Sequence, residues 1–199
     1  GDRGEIAEGV VSREDLCIVT KLWNDRHAKK DVVPALKESL ARLGLKYLDI
    51  YLIHFPVSVY DNNTFYDVDY LETWEGLIEA KALGLVKSIG VSNFNITQLD
   101  RLISMSKVKP AVLQIEVNLN IQEPELINFC KKHNIAVMAY TPFGSIFHNK
   151  AAKDAPPPRT DDQALLKIAD RHHKTVAQIN LRYLIELGVI PIPKSVTKK

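Results

Sequence analysis

Apolar residues occur along this chain in short runs, and the segments between the runs have a helical periodicity. The runs predict six β-strands, at Cys17–Thr20, Asp49–Ile53, Ser88–Val91, Val112–Val117, Ala136–Tyr140 and Val189–Ile192. Between the runs, apolar residues recur at spacings of three and four, as on one face of a helix. Strands that alternate with helices are typical of a parallel sheet. The pattern therefore predicts an α/β protein, and the absence of a GxGxxG turn after any strand argues against a Rossmann sheet.

Local signals indicate where the predicted helices begin and end. Asp31 is predicted to cap the first helix, and Gly44 is predicted to end it. Three capping boxes, in which the N-cap residue and the third helical residue hydrogen-bond each other's backbone, predict further helix starts. They occur at Asn95–Gln98, Thr160–Gln163 and Thr175–Gln178. The stretch 150–159, with three prolines, is predicted to be a loop.

Length and composition indicate a water-soluble globular protein. The 199 residues suffice for one domain with a large core, predicted over 1–199, and they are 46% hydrophobic and 25% charged. A net charge of +2 without a basic block gives no indication of a nucleic-acid partner. The sequence shows no apolar core of a signal peptide. No apolar stretch approaches in length the roughly 18 residues that a membrane span needs. Cys17 and Cys130 are predicted to be buried, reduced thiols, which favours a cytoplasmic location.

Two titratable residues stand where predicted strands end. His54 follows the apolar run Tyr51–Ile53, and Lys21 follows Ile18–Thr20. In barrels of parallel strands, catalytic groups gather at the carboxyl ends of the strands. Taken singly, a lysine there is more often a solvated strand end and a histidine more often a hydrogen-bonded core residue. Two such endings together favour a catalytic site.

Six segments, in this order and spacing, resemble the aldo-keto reductase superfamily. They are Glu14–Trp23, Leu48–Pro56, Ile89–Phe94, Gln114–Asn118, Ala139–Ser145 and Ile192–Val196. The resemblance implies a (β/α)8 TIM-type barrel, of which this chain holds about six β/α units. It also implies a single barrel domain over 1–199 that lacks the first two strands and the C-terminal loop of the family.

The resemblance assigns two catalytic residues. The family uses an aspartate, a tyrosine, a lysine and a histidine, and the motifs place the lysine at Lys21 and the histidine at His54. The ammonium of the lysine lowers the pKa of the tyrosine, which is the general acid. The histidine orients the substrate carbonyl. The aspartate and the tyrosine precede Lys21 in the family, and the printed sequence has no segment that matches theirs.

The resemblance also assigns cofactor and substrate contacts. Hydrogen-bonding side chains are assigned to the nicotinamide carboxamide, Tyr140 to stacking on its ring, and the polar residues after the last strand to the 2′-phosphate of NADPH. The assigned cofactor residues are Ser92, Asn93, Gln114, Tyr140, Thr141, Phe143, Ser145, Lys194, Ser195 and Thr197. Trp23 and Phe55 are predicted to line the substrate pocket. The other five histidines are predicted to lie on the surface, and no spacing typical of a metal site occurs.

These assignments predict reduction of an aldehyde or ketone to an alcohol, with NADPH as the hydride donor. The expected partner is a small carbonyl compound, and the expected state is a monomer. Residues 1–199 alone are expected to be inactive, because the tyrosine is missing from them. Two other interpretations remain open, a non-catalytic NADPH-binding module and an inactive truncated fragment.

Overall fold

The structure, a computed structural model, describes residues 8–60, 64–144 and 162–194. Contacts between Cα atoms divide the chain into two compact units, residues 1–113 and 114–199. The predicted loop at 150–159 lies outside the described residues. A single domain over 1–199 stays a prediction.

In the first unit, strands alternate with helices as predicted. The order along the chain is β1 (Val19–Leu22), α1 (Lys29–Leu43), β2 (Leu48–Ile53), α2 (Tyr70–Ala82), β3 (Val86–Ser92) and α3 (Ile96–Met105). β1 pairs with β2 and β2 with β3, both in parallel. A fourth strand, β4 (Val112–Glu116), begins at the end of this unit.

The carboxyl-terminal half of β2 forms the centre of the core of this unit. Tyr51, Leu52 and Ile53 have no exposed surface, and Leu36 of α1 and Leu77 of α2 are buried with them. Burial of consecutive residues means that the strand is covered on both faces. This confirms the prediction made from the apolar run.

The first strand lies two residues later than predicted. The run Cys17–Thr20 indicated its position, but the ladder pairs Val19 with Ile50 and Leu22 with Ile53. The backbone N–H of Ile18 donates instead to the side chain of Asp49, at 2.9 Å. The register with β2 therefore decides where β1 begins. As a result, Lys21 is the penultimate residue of the strand, not the residue after it.

The first helix begins earlier than predicted, and its end is confirmed. Its N-cap is Ala28, and the N–H of Asp31 already donates to the carbonyl of Ala28 at 2.8 Å. Asp31 therefore lies inside the first turn, where its negative charge faces the positive end of the helix dipole. Gly44 ends the helix in a left-handed conformation, with φ of 67°.

The second unit continues the alternation. Its elements are α4 (Pro124–Lys132), β5 (Ala136–Tyr140), α5 (Gln163–His172), α6 (Val176–Glu186) and β6 (Ile190–Pro191). β5 and β6 are parallel, with Met138 opposite Ile190. The bounds of β5 match the prediction. β6 has two residues instead of the predicted four, because Pro191 and Pro193 have no N–H for a ladder.

Two of the three predicted capping boxes are confirmed. Asn95 and Gln98 exchange hydrogen bonds at 2.9 and 3.0 Å, and Thr175 and Gln178 exchange them at 3.2 and 2.9 Å. The third prediction fell on Thr160, which lies outside the described residues. α5 is instead capped by Asp162, whose carboxylate accepts hydrogen bonds from two N–H groups of the first turn. A box that starts at Thr160 was therefore the wrong start for this helix.

The cysteines only partly follow the prediction. Both are free thiols, and Cys130 is buried as expected, but Cys17 is exposed. Cys17 precedes β1 and takes no part in its ladder, so the core does not cover it. Among the described residues, no helix combines the length and the apolar character that crossing a membrane requires.

Candidate active site

The carboxyl ends of the first three strands bring four of the predicted site residues together. Lys21 lies near the end of β1, His54 directly follows β2, and Ser92 and Asn93 stand at the end of β3. The N–H of His54 donates to the carbonyl of Leu22 at 3.2 Å. The carbonyl of His54 accepts a hydrogen bond from Nδ2 of Asn93 at 2.9 Å. Hydrogen bonds therefore connect the ends of all three strands.

Burial lowers the pKa of both candidate catalytic residues, and the charge of Lys21 also acts on His54. Both side chains are half-buried. The pKa of His54 is lowered, first by burial and then by the positive charge of Lys21. Burial also lowers the pKa of Lys21. His54 is therefore a neutral imidazole at neutral pH, with one N–H donor and one acceptor, and it lies within the electrostatic field of an ammonium group.

Asn93 has a backbone conformation that suits its position after β3. Its φ is 62°, in the left-handed region that asparagine tolerates better than most residues. Its Nδ2 donates to the carbonyl of His54 and to Oγ of Ser92, at 2.9 and 3.2 Å. Ser92 itself has no exposed surface. The pair therefore places a buried hydroxyl and a partly exposed amide at the same edge as His54.

Two aromatic rings flank His54. The ring of Trp23 lies edge-on, with its centroid 4.8 Å from that of His54. The ring of Phe55 stacks on His54 at 5.0 Å, with 5° between the planes. Trp23 is 53% exposed, so it forms an outer wall that is open to solvent. These positions agree with a pocket for a partly apolar molecule, and the substrate role of the two residues stays a prediction.

The second unit holds the remaining predicted cofactor residues. Gln114, on β4, is 2% exposed, and its Nε2 lies 3.9 Å from Sδ of Met138. Tyr140 is the last residue of β5, and burial and the nearby carboxylate of Glu116 raise its pKa. Three further predicted residues occupy the turn after β5 and the exposed exit of β6. They are Thr141, Phe143 and Lys194.

Ser145, Ser195 and Thr197 lie outside the described residues. Their predicted roles stay predictions. Among the residues that the structure describes, no cluster of three or more His, Cys, Asp or Glu side chains is suited to hold a metal ion.

His27 is a buried histidine, so the surface position predicted for it was wrong. Its side chain has no exposed area, and burial lowers its pKa to about 4. Its Nδ1 lies 3.1 Å from Oγ of Ser58, which donates its own proton to the carbonyl of Val68 at 3.1 Å. Ser58 must therefore accept a proton from Nδ1. His27 is thus the neutral Nδ1–H tautomer, and its Nε2 has no hydrogen-bond partner among the residues that the structure describes.

Asn24 and His27, the two ends of the polar run 24–27, are buried because a later segment packs over them. The hydroxyl of Tyr66 donates to the carbonyl of Asn24 at 3.0 Å and accepts the N–H of His27 at 3.1 Å. The hydroxyl of Thr73 donates to the carbonyl of His27 at 2.8 Å. This run directly follows Trp23. The contacts therefore hold the backbone that carries the outer wall of the site.

Known proteins resemble the chain over nearly its whole length. A profile of the aldo/keto reductase family matches residues 4–199. Aldo-keto reductase AKR2E4 of Bombyx mori is 54% identical over 195 residues, which are 98% of this chain and 63% of that protein. Aldo-keto reductase family 1 member A1 of Gallus gallus is 41% identical over 199 residues, 94% of this chain and 61% of that protein. The chain thus spans less than two thirds of the length of these relatives.

Solved structures of similar proteins also superpose on this chain over nearly its whole length. The crystal structure of Bombyx mori AKR2E4 in complex with NADP superposes with a TM-score of 0.96 at 52% identity, over 99% of this chain and 64% of that one. A structure of aldo-keto reductase AKR2E5 complexed with NADPH gives 0.95 at 46% identity, over 99% and 60%. These matches confirm the predicted fold class, an α/β barrel of the aldo-keto reductase type, of which the described residues form six strands. The chain belongs to the aldo/keto reductase family.

Proposed function

We propose that the protein reduces an aldehyde or ketone to the alcohol, with NADPH as the reductant. The observation that carries the proposal is the pairing of Lys21 with a neutral His54 at the ends of neighbouring parallel strands. The similar proteins that were crystallised with NADP or NADPH support the choice of cofactor. Because the chain spans 60–64% of those structures, the activity of the whole protein is part of this proposal.

The residues present fit a nicotinamide dinucleotide by their chemistry. The hydroxyl of Ser92 and the amide of Asn93 suit the carboxamide, which both donates and accepts hydrogen bonds. The resemblance adds Gln114 for the same group and the ring of Tyr140 for stacking. The exposed Lys194, after β6, carries a charge that suits a phosphate. When bound, NADPH supplies the hydride, and the protein supplies binding and orientation.

The residues of this chain have distinct proposed roles. The N–H of His54 donates to the substrate carbonyl oxygen and holds the carbonyl in a reactive orientation. The charge of Lys21 stabilises the negative charge that develops on that oxygen, and it lowers the pKa of the tyrosine that protonates it in the family. Trp23 and Phe55 provide an apolar wall beside the reacting carbonyl.

The cellular setting is also a proposal. The free thiols of Cys17 and Cys130 support a reducing compartment such as the cytoplasm.

We further propose that the protein is a monomer with a small carbonyl compound as its substrate. Gel filtration with light scattering tests the monomer directly, and a dimer at micromolar concentration would contradict it.

The activity is tested on the protein as its gene encodes it, by following NADPH absorbance with a reactive aromatic aldehyde. We expect steady turnover, and we expect His54→Gln to lower kcat/KM roughly tenfold, because an amide N–H in place of the imidazole orients the carbonyl less well. The matched control is His172→Gln on the exposed end of α5, which should leave kcat/KM unchanged. NADPH binding without turnover of any aldehyde or ketone would favour the non-catalytic binding module instead.

Residues 1–199 produced alone are expected to turn over the same aldehyde at least about 100-fold more slowly than a form of the protein that also carries the tyrosine of the family. The reason is that general acid catalysis contributes about 10²–10⁴-fold, and these residues contain no segment that matches the tyrosine of the family. The measurement is the rate per mole of folded protein, checked by circular dichroism. An equal rate that His54→Ala abolishes would show that another group in this span acts as the acid.

A further inference from the structure

We infer that Asn118 and Asn180 are positioning residues that hold the turn after β5 in the conformation that binds the cofactor. This inference rests on the proposed function, since that turn carries the predicted cofactor residues Thr141 and Phe143. The sequence pattern indicated no role for either asparagine. Both are buried in the second unit, with 1% and 0% of their surface exposed.

Each asparagine donates a hydrogen bond to a different carbonyl of the turn. Nδ2 of Asn118 donates to the carbonyl of Thr141 at 3.3 Å. Nδ2 of Asn180, on α6, donates to the carbonyl of Pro142. Two neighbouring peptide groups are therefore oriented by side chains from two separate elements. Without Asn180 the carbonyl of the buried Pro142 would lose this donor, which is costly, and without Asn118 the carbonyl of Thr141 would keep the N–H of Gly144 as a donor.

The other hydrogen bonds of Asn118 fix the position of its own side chain. Its Oδ1 accepts the N–H groups of Asn120 and Ile121, at 2.9 and 3.0 Å. Its Nδ2 also donates to Oε1 of Glu116 at 3.0 Å. The amide is therefore held rigidly by the loop after β4, and it can hold the turn in place in the same way.

The turn has a conformation that needs such support. Thr141 has a φ of 47°, which is unfavourable for a β-branched residue. Gly144 has a φ of 50°, and a Cβ there would lie 2.7 Å from Cγ of Asn118. Glycine thus allows the turn to lie directly against the asparagine side chain. The strained backbone and the close contact both indicate that the turn is held in one conformation.

Asn180 contributes only its donor. Its Oδ1 is buried and has no hydrogen-bond partner in the described part of the chain. A leucine of similar size would be the better residue for packing in this place, since it leaves no unsatisfied oxygen. The amide is therefore explained by the hydrogen bond that its Nδ2 donates to the carbonyl of Pro142.

The test uses the protein as its gene encodes it and two independent variants. Asn180→Leu removes one donor and keeps the volume. The double variant Glu116→Gln with Asn118→Asp keeps the acceptor for the two loop N–H groups. The glutamine at position 116 can donate to the carboxylate at position 118. The carbonyl of Thr141, however, loses the hydrogen bond from the side chain at position 118. The controls are Glu116→Gln alone and Asn128→Ala on the exposed face of α4.

We expect the NADPH dissociation constant, measured by nicotinamide fluorescence, to rise roughly tenfold in both test variants and less than twofold in the controls. At saturating NADPH, kcat should stay within about twofold of wild type, because Lys21 and His54 are unchanged. A loss of general stability would not give this separation. The amide hydrogen of Gly144, which donates to Thr141 at 2.9 Å, should exchange faster in the double variant.

The outcomes separate this inference from the proposed function. If the wild-type protein binds no NADPH, the proposed function fails. The exchange rate of the Gly144 amide hydrogen still reports whether Asn118 holds the turn. If the variants bind NADPH like wild type, the positioning role is wrong although the function stands. Should Asn180→Leu fail to fold, the double variant decides by the same criteria.

Discussion

Replacement of Lys21 by methionine should lower kcat about 100- to 1000-fold, while the NADPH dissociation constant changes less than threefold. Methionine keeps most of the length of the side chain and removes its charge. In the proposed reaction that charge acts on the carbonyl oxygen and on the proton donor, and a single preorganised group of this kind is typically worth this much in rate. The charge of Lys21 is not assigned to binding of the cofactor phosphates. The measurement is steady-state turnover and NADPH titration of the protein as its gene encodes it.

The matched control is Lys46→Met, because Lys46 is exposed and lies between α1 and β2. This variant should have the kcat of the wild type. Equal losses of NADPH affinity and kcat in Lys21→Met would place the ammonium against the cofactor instead of the reacting oxygen. An unchanged kcat would remove Lys21 from the catalytic residues altogether.

The free energy of unfolding should fall by about 3 kcal/mol between pH 6.5 and pH 4 because of His27 alone, since a tenfold change in proton affinity corresponds to about 1.4 kcal/mol. Burial lowers the pKa of His27 from 6.5 to about 4 in the folded protein. The unfolded chain therefore binds a proton through this range while the folded protein does not, so acid favours unfolding. The contribution is fully present above pH 6.5 and is lost as the pH falls toward 4.

Urea unfolding at several pH values measures this effect as a difference between variants. Asn in place of His27 keeps a donor for Ser58 and cannot be protonated, so His27→Asn should be less stable at pH 7 but lose less stability on acidification. His172→Asn, on the exposed end of α5, should have the pH dependence of the wild type. The same acid dependence in His27→Asn would mean that His27 does not titrate in this range.

Local signals predicted the fold well where the determining contacts are close in sequence. The capping boxes at Asn95 and Thr175 are confirmed because both hydrogen bonds lie within one helical turn. Strand β5 has its predicted bounds, and a glycine ends α1 as expected. Where the decisive partner is distant, the prediction was shifted. The ends of β1 depend on pairing with β2, some 30 residues later in the chain.

Three candidate site residues could also be predicted from the sequence, because each lies at or directly after the end of a strand and strand order determines where that end lies. Parallel strands put their carboxyl ends at one edge, so Lys21, His54 and Asn93 meet there once the strands are recognised. The exposure of Trp23 and its edge-on contact with His54 could not be predicted. They depend on the path of the chain after the strand ends.

The sequence by itself thus determined the strand and helix order, the family, and the residues at the strand ends. The tertiary structure alone decided that His27 is buried, because its burial depends on Ser58, Tyr66 and Thr73, which are 31 to 46 residues away. It alone decided that Asn118 and Asn180 bind one turn. Polar side chains have the same local signature whether they face water or a distant carbonyl. Only the packing of remote segments determines which of the two they meet.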